Sequence, residues 1–144
     1  MEIYKTKAKK FPGTYFRIVH KQAFGLYIKI SKKTKRRAYI RSAYFDKEKI
    51  FLDLFWHHLF EKPNWRNRVK RIQYYACALE LIQNSSFKPN CARNPNNSQE
   101  MLYRFYGTTP NAEFFCVQIK ETKKKKQKFL ISIYPVKTEF FNSK

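Results

Sequence analysis

Three short segments in the last third of the chain alternate apolar and polar residues, a pattern that predicts strands with one buried face. They are residues 101–106, 115–120 and 129–134. Because successive side chains in a strand point to opposite faces, the apolar residues of all three segments share one side of the sheet. The other side collects five polar residues: Arg104, Gln118, Lys120, Ser132 and Tyr134. We therefore expect a three-stranded antiparallel meander with an apolar core face and a basic, polar face.

The first half of the chain predicts a β-hairpin followed by a helical hairpin. Residues 24–30 and 37–45 are rich in strand-forming residues and flank the basic segment 31–36, so we expect a hairpin with a basic tip. Apolar residues at three- and four-residue spacings then predict one helix over about 46–61 and a second over 64–84.

The domain organisation follows from these segments. Residues 1–13 mix lysines with a Phe-Pro-Gly turn and are interpreted as a basic N-terminal arm. Residues 87–99 are rich in Pro and Asn, which favour turns, and are expected to form a loop. Residues 14–144 then form a single α+β domain, in which the hairpin, the helical hairpin and the meander build one sheet with helices packed on one face.

The charge of the chain indicates an anionic partner. Its 144 residues include 31 Lys and Arg against 10 Asp and Glu, a formal net charge of +21. The positive charges repel one another in the free protein, so we expect an anionic partner to bind. This partner could be nucleic acid, an acidic protein or an anionic membrane, and nucleic acid is the commonest of these. The lysine runs Lys123–Lys126 and Lys32–Arg37 add salt-sensitive affinity for phosphates. Neither predicted helix has one apolar face and one strongly basic face along its length, which argues against a membrane.

The cysteines and the missing motifs narrow the class further. Cys77, Cys91 and Cys116 form no CxxC pair, so we expect free thiols in a reducing compartment. No apolar run is long enough to span a membrane, and the protein is predicted to be cytoplasmic. The sequence has no glycine-rich phosphate loop, no HExxH and no clustered carboxylates. We therefore expect no cofactor and no metal.

The polar sheet face is the first candidate site, for RNA cleavage through the 2′-hydroxyl. This reaction needs a proton acceptor, cations for the phosphorane and an acid for the leaving 5′-oxygen. Lys120 and Arg104 could supply the charge, while Ser132, Tyr134 or a helix histidine could relay protons. The alternative is a solvated face of a half-covered sheet.

The start of the second helix is the next candidate. Arg66 and Lys70 are four residues apart and share one helix face, and Arg68 and Arg71 are three apart and share another. Either pair could overhang the sheet and clamp phosphate, and a generic basic surface is an equal alternative. Tyr75 offers a ring for base stacking, although a tyrosine beside an apolar stripe also suits the rim of a core.

Adjacent histidines, His57 and His58, lie in the first predicted helix. They point about 100 degrees apart, so both cannot serve one site. Either could act as a general acid or base, and a structural or merely exposed histidine is the alternative.

The order of the residues from Phe55 onward carries a resemblance. The segments are Trp65-x-x-Arg68-x-x-Arg71-Ile72-x-x-Tyr75, Leu102-x-Arg104-Phe105-x-Gly107, Phe115-x-Val117-Gln118-Ile119-Lys120 and Phe129-Leu130-Ile131-Ser132-Ile133-Tyr134. In this helix-then-meander order the chain resembles the barnase/EndoU/colicin/RelE-like nuclease superfamily (BECR fold), in particular its phage- and toxin-associated branch. The resemblance implies a nuclease-like core at about 46–138.

That resemblance implies a metal-independent ribonuclease, often a toxin held in check by an acidic antitoxin, with catalytic groups on the sheet and the adjoining helix. It places the site on Arg68, Arg71, Arg104, Gln118, Lys120 and Ser132. Residues expected to hold the nucleic acid are Arg66, Arg68, Lys70, Tyr75, Tyr134, Lys123 and Lys124.

Three functions follow as hypotheses. The first is an RNA-binding, metal-independent endoribonuclease of toxin type. The second is a noncatalytic RNA- or DNA-binding module, and the third is a basic interaction protein that binds an acidic partner or inhibitor. The observation that separates the first two is whether Arg68 or Arg71 overhangs the sheet face of Lys120, because helices covering that face would turn the site into core.

Overall fold

A computed structural model of the protein describes residues 2–61 and 65–142, without the side chains of Trp65, Arg66 and Asn142. Its strands are β1 (Tyr4–Lys5), β2 (Tyr39–Arg41), β3 (Lys49–Phe51), β4 (Asn90–Arg93), β5 (Glu100–Thr108), β6 (Phe114–Thr122) and β7 (Lys128–Val136). Its helices are α1 (Phe16–Lys33), α2 (Asp53–Leu59), α3 (Trp65–Ile72), α4 (Tyr75–Asn84) and α5 (Glu139–Asn142).

The strands of the described chain form one seven-stranded mixed sheet. Its order is β1-β5-β6-β7-β3-β2, and β4 also pairs with β5. The three alternating segments are β5, β6 and β7, and they pair antiparallel. The expected three-stranded antiparallel sheet is nevertheless wrong, because β1 joins β5 and β3 joins β7 in parallel. The chain is an α+β protein in which segments from the first half extend the C-terminal meander on both sides.

The expected N-terminal hairpin is also wrong, because residues 16–33 form helix α1. Five residues explain this outcome, since they recur at three- and four-residue spacings and pack into or against the core: Phe16, Val19, Ala23, Tyr27 and Ile30. The aromatic and β-branched residues of 24–30 favour strands, but tertiary packing of a helical stripe overrides that propensity. Of the second expected strand only β2 remains, and it pairs with β3.

The helical hairpin differs from expectation at both of its helices. Residues 49–51 are strand β3, so the first helix begins only at Asp53. The second is divided into α3 and α4 at Gln73 and Tyr74. At this break the Gln73 carbonyl accepts a hydrogen bond from the Phe11 amide at 2.8 Å, and its side-chain amide donates to the Gly13 carbonyl at 2.6 Å. The break therefore binds the N-terminal segment.

Glu80 on α4 fixes the beginning of the chain. Its carboxylate accepts hydrogen bonds from the backbone amides of Lys7 and Ala8 at 2.9 Å each, and from the Tyr4 hydroxyl at 2.9 Å. Together with the pairing of β1 to β5, these bonds place residues 4–8 against the domain. Residues 90–93, which were expected to be loop, form β4 through pairing with the same strand.

The core lies between helices α1–α4 and one face of the sheet. Its sheet residues include Phe105, Phe115, Val117, Ile119 and Ile133, the apolar positions of the alternating segments. The opposite face carries the polar row and is not part of this core cluster. Helix α5 covers one end of it, where Phe140 and Phe141 pack on Tyr106 with ring centroids 5.4 and 5.7 Å away. Among the described residues, no helix is long and apolar enough to cross a membrane.

Candidate functional site

The five polar residues predicted from the alternation do lie together on the sheet face opposite the core. Arg104 pairs with Gln118, and Gln118 pairs with Ser132 on the next strand, so these three side chains form a transverse row. Lys120 lies two residues beyond Gln118 and Tyr134 two residues beyond Ser132, both on the same face of the sheet. Helices α1–α4 pack on the other face. We call these five residues the polar row.

The two charged residues of the polar row, Arg104 and Lys120, both contact other side chains. The Arg104 Nε donates to the Gln118 Oε1 at 3.2 Å. The Lys120 Nζ lies 3.2 Å from the Glu100 Oε2 and 5.6 Å above the Phe129 ring. The charge of Lys120 is therefore largely balanced, and Arg104 is the member of the row that has no carboxylate partner among the described residues.

Tyr134 does not provide a proton acceptor. Burial and the neighbouring Cys116 raise the pKa of its phenol, so the hydroxyl stays protonated near neutrality. Burial likewise raises the pKa of the Cys116 thiol to about 11. The polar row thus supplies hydrogen-bond donors and positive charge, and any base has to come from beside it.

A cleft of about 190 Å³ lies at the edge of β7, next to the Ser132 end of the row. The residues that line it are His58, Glu61, Arg71, Ile131 and Ser132. The cleft exists because β3 pairs with only the first two residues of β7, Lys128 and Phe129. Further along, α2 and α3 pack beside β7. A β-bulge between β6 and β7 falls at the same place and shifts the register beside Ser132.

His58 supplies the imidazole of this cleft. Its Nδ1 lies 2.9 Å from the Glu61 Oε1. Because a carboxylate only accepts hydrogen bonds, Nδ1 carries the proton of the neutral ring and Nε2 keeps a free lone pair. His57, one residue earlier, is exposed and does not line the cleft. The structure therefore distinguishes the two adjacent histidines, which the sequence left equivalent.

Arg71 is a predicted helix cation that the structure brings to the edge of the sheet. It lines the cleft together with Ser132 rather than standing above Lys120. Arg68 is half-buried, with its guanidinium 4.9 Å from the Phe60 ring, and Lys70 is exposed. The side chain of Arg66 lies outside the described residues.

The other residues expected to bind nucleic acid are divided between core and surface. Tyr75 is completely buried and packs on Phe55 and Trp56, with ring centroids 5.4 and 5.0 Å away, so its ring is not accessible to a base. Lys123 and Lys124 are exposed in the turn between β6 and β7. The described residues contain no group of three or more His, Cys, Asp or Glu arranged to hold a metal ion.

The pairing of His58 with Glu61 escaped the sequence reasoning. Its signal was the three-residue spacing, which places the two side chains on one side of a helix end. The proximity of Ser132 had no local signal, because it depends on α2 packing beside β7.

In the comparisons with known proteins, no family model, no curated protein and no solved structure matches this chain. The polar row, the cleft and the charge of the surface are the features of the chain that indicate its function.

Proposed function

We propose that this chain binds RNA along the polar row and cleaves it, without a metal ion, in the cleft of His58, Glu61, Arg71 and Ser132. The observation that carries the proposal is the meeting of an imidazole-carboxylate pair, a guanidinium and a hydroxyl in one cleft. These are a proton acceptor, a cation for phosphate and a hydrogen-bond donor, which are the groups that attack by a 2′-hydroxyl requires. A cleft of about 190 Å³ suits a phosphate group better than a whole nucleotide.

Each group has one task in the reaction. The His58 Nε2 takes the proton of the 2′-hydroxyl, and the oxygen then attacks the adjacent phosphorus. Arg71 and the Ser132 hydroxyl stabilise the negative charge on the phosphoryl oxygens. The bond from phosphorus to the 5′-oxygen breaks, and that oxygen takes a proton from solvent. The products are a 2′,3′-cyclic phosphate and a free 5′-hydroxyl.

The surroundings of the cleft favour RNA as the ligand. The net charge of +21 attracts a polyanion, and the exposed Lys70, Lys123 and Lys124 extend the positive surface. Arg104 and Gln118 continue the row away from Ser132 and can hold the neighbouring phosphate. We also propose a cytoplasmic location, since Cys77, Cys91 and Cys116 are free thiols. An acidic inhibitor protein of antitoxin type would bind the same basic surface.

The test is RNA cleavage in the presence of EDTA by the wild type and two histidine variants. The wild type should yield fragments with cyclic or 3′-phosphate ends. The His58→Asn variant lacks the general base and should cleave RNA about 10²- to 10⁴-fold more slowly than the wild type. His57→Asn is the matched control, because His57 is exposed one residue away, and it should cleave at the wild-type rate. Intact RNA across several substrates, or equal losses in both variants, would refute the cleavage site.

A noncatalytic RNA- or DNA-binding module is the second candidate. The observation in its favour is that the polar row itself contains no group that takes up a proton near neutrality, since Lys120 is paired and the phenol of Tyr134 stays protonated. It predicts salt-dependent binding without any turnover, and the His58→Asn variant should then bind as the wild type does.

A further inference from the structure

A second basic region lies at the end of α1, away from the cleft. A groove of about 720 Å³ runs between the C-terminal end of α1, the following connection and strands β2 and β3. Five of the residues that line it are cationic: Lys33, Lys35, Arg36, Arg37 and Lys49. None of its described lining residues is acidic.

This groove continues on the other side of Tyr39. A neighbouring cavity of about 500 Å³ shares Lys33, Thr34 and Tyr39 with it and adds Arg41 and Lys47. Its described lining residues also include no acid. The two cavities form one extended basic path, which suits a linear polyanion better than a single small anion. We call this path the α1 groove.

Most of the positive charge in the α1 groove has no counter-charge among the described residues. Arg37 is paired with Asp53, but no ion pair among the described residues involves Lys33, Lys35 or Arg36. Placing like charges together in this way costs free energy unless an anion binds between them. A bound phosphate backbone removes that cost and releases its own counterions.

Tyr39 and Phe51 line one wall of the groove and belong to a layer of aromatic rings and a cation. Tyr39, Phe51 and Phe129 follow one another across β2, β3 and β7, with centroid distances of 6.3 and 5.7 Å. The Arg37 guanidinium lies 4.7 Å from the Phe51 centroid and 5.0 Å from that of Phe129. The Arg37 Nη2 donates to the Asp53 Oδ1 at 2.8 Å and the Arg37 Nε donates to the Oδ2 at 3.0 Å, and this pair of bonds fixes the guanidinium plane.

This layer indicates the chemistry of the ligand. A fixed guanidinium plane and a half-exposed tyrosine ring are surfaces on which nucleobases stack. The Lys49 Nζ and the Arg41 guanidinium lie 4.6 and 5.5 Å from the Tyr39 centroid, so a base that stacks on this ring takes the place of one of them. The acidic side chains of a peptide would pair with the lysines but would not stack on the layer. Phosphate groups match the lysines and bases match the layer, so a nucleotide uses both.

We infer that the α1 groove binds a single strand of RNA, with a base stacked on Tyr39 or Arg37 and its phosphates held by Lys33, Lys35 and Arg36. The inference takes its ligand from the proposed function. Phe51 pairs with Phe129 on β7, and Ser132 is three residues further along the same strand. At the usual rise per residue that separation is roughly 10 Å, which lets one strand occupy both the groove and the cleft.

Binding of a fluorescent 2′-O-methyl RNA oligonucleotide tests the groove independently of cleavage, because this probe lacks the nucleophile. The variant is Lys33→Gln/Lys35→Gln/Arg36→Gln, whose three positions are exposed. We expect it to bind more than ten-fold more weakly at moderate salt, with the slope of log K against log salt reduced by about 2. The control, Lys5→Gln/Lys7→Gln/Lys9→Gln, removes the same charge from another exposed region and should lose much less affinity. Equal losses would show diffuse attraction and overturn the inference.

Stacking needs a separate readout. Tyr39→Leu should weaken oligonucleotide binding by about ten-fold, and ultraviolet crosslinking of a bromouracil-containing strand should label Tyr39. If Tyr39→Leu binds the oligonucleotide as tightly as the wild type does, only phosphate attraction remains and the base subsite is overturned.

A mononucleotide that binds as tightly as the oligonucleotide would assign the groove to a free nucleotide instead of a strand. Groove-dependent binding without RNA cleavage would refute the proposed enzyme and keep this inference. RNA cleavage by a groove variant that binds the oligonucleotide as tightly as the wild type would do the reverse.

Discussion

Lys128 is expected to be the most sensitive ionic residue of the fold. Its side chain is only 5% exposed, and its Nζ lies 2.8 Å from the Glu48 Oε2 and 2.9 Å from the Glu121 Oε2. The Tyr103 hydroxyl donates to the other oxygen of Glu121 at 2.8 Å. These contacts join β6 and β7 to the turn before β3. Lys128→Met keeps the length of the stem but removes the charge, and it leaves the Glu121 carboxylate without its cation.

The size of the effect follows from the exposure of the partners. Breaking a buried pair by removing one partner costs about 3–5 kcal/mol, whereas an exposed pair contributes at most about 1 kcal/mol. Glu121 is 18% exposed and belongs nearer the first case, while Glu48 is 53% exposed and belongs to the second. We expect Lys128→Met to lower the free energy of unfolding by about 2–4 kcal/mol, or the Tm by roughly 3 °C for each kcal/mol.

The loss of stability in Lys128→Met should depend on pH in a direction that follows from the pKa shifts of the ion pair. Burial alone raises the pKa of Glu121, but hydrogen bonds from Lys128 and Tyr103 outweigh it and hold the pKa below its ordinary value of 4.5. This contribution is present above that value and is lost as the pH falls through the pKa of the folded state. Burial lowers the pKa of Lys128, but Glu48 and Glu121 raise it above 10.5, so its contribution is lost only as the pH rises beyond that value. The difference in the free energy of unfolding between wild type and Lys128→Met should therefore be largest between pH 4.5 and pH 10.5.

Urea unfolding of the wild type, Lys128→Met and the exposed control Lys126→Met at several pH values measures this difference. The control should change stability by less than about 0.5 kcal/mol. The double variant Lys128→Met/Glu121→Gln should recover part of the loss, because it leaves no uncompensated carboxylate. A cost below about 1 kcal/mol near neutrality, or one that is as large at about pH 3 as at pH 7, would refute the reasoning.

Two further predictions concern packing and thiol reactivity. A Cβ at Gly107 would lie 2.5 Å from the Phe115 Cζ and 2.9 Å from the Leu81 Cδ1, so Gly107→Ala should destabilise the protein by about 1–3 kcal/mol in urea unfolding. Gly25→Ala, within α1 and with open space around its Cβ position, should instead stabilise it by about 0.5–1 kcal/mol, and the opposite order of these two variants would contradict the packing described. Burial raises the pKa of the Cys77 and Cys116 thiols to about 11, so a thiol reagent near neutral pH should label the exposed Cys91 first. Rapid labelling of the folded Cys91→Ser variant would show that the buried thiols are accessible.

The parts of the fold that the sequence predicted are those with a regular local pattern. The alternation of β5, β6 and β7 survives because each strand buries one face against the helices and pairs along its whole length. Helix α1 was missed because its strand-forming residues at 24–30 masked a helical stripe that begins at Phe16. The two-residue β1 exists only through its pairing with β5, so it has no periodic signal of its own.

The candidate site divides in the same way. The two-residue alternation of the strands was sufficient to place Arg104, Gln118 and Ser132 side by side on one face. It could not reveal that Lys120 is paired with Glu100, or that Arg71 and His58 meet at Ser132, because those contacts depend on how separate elements pack. The basic run at 32–37 was recognised as positive charge, but its position between α1 and β2 was not, since a hairpin tip was expected there.

Strand β7 explains why the α1 groove and the cleft are separate places. Along one edge it pairs with β6 for its whole length, whereas along the other it pairs with β3 at only Lys128 and Phe129. At the paired end, Phe129 joins the aromatic layer and β3 places Phe51 and Lys49 in the groove. The unpaired end admits α2 and α3 with His58 and Arg71. Charge removal in the groove should therefore weaken binding without changing the rate of cleavage at saturating RNA, whereas His58→Asn should lower that rate and leave binding intact. Variants that change both quantities in parallel would mean that one surface performs both tasks.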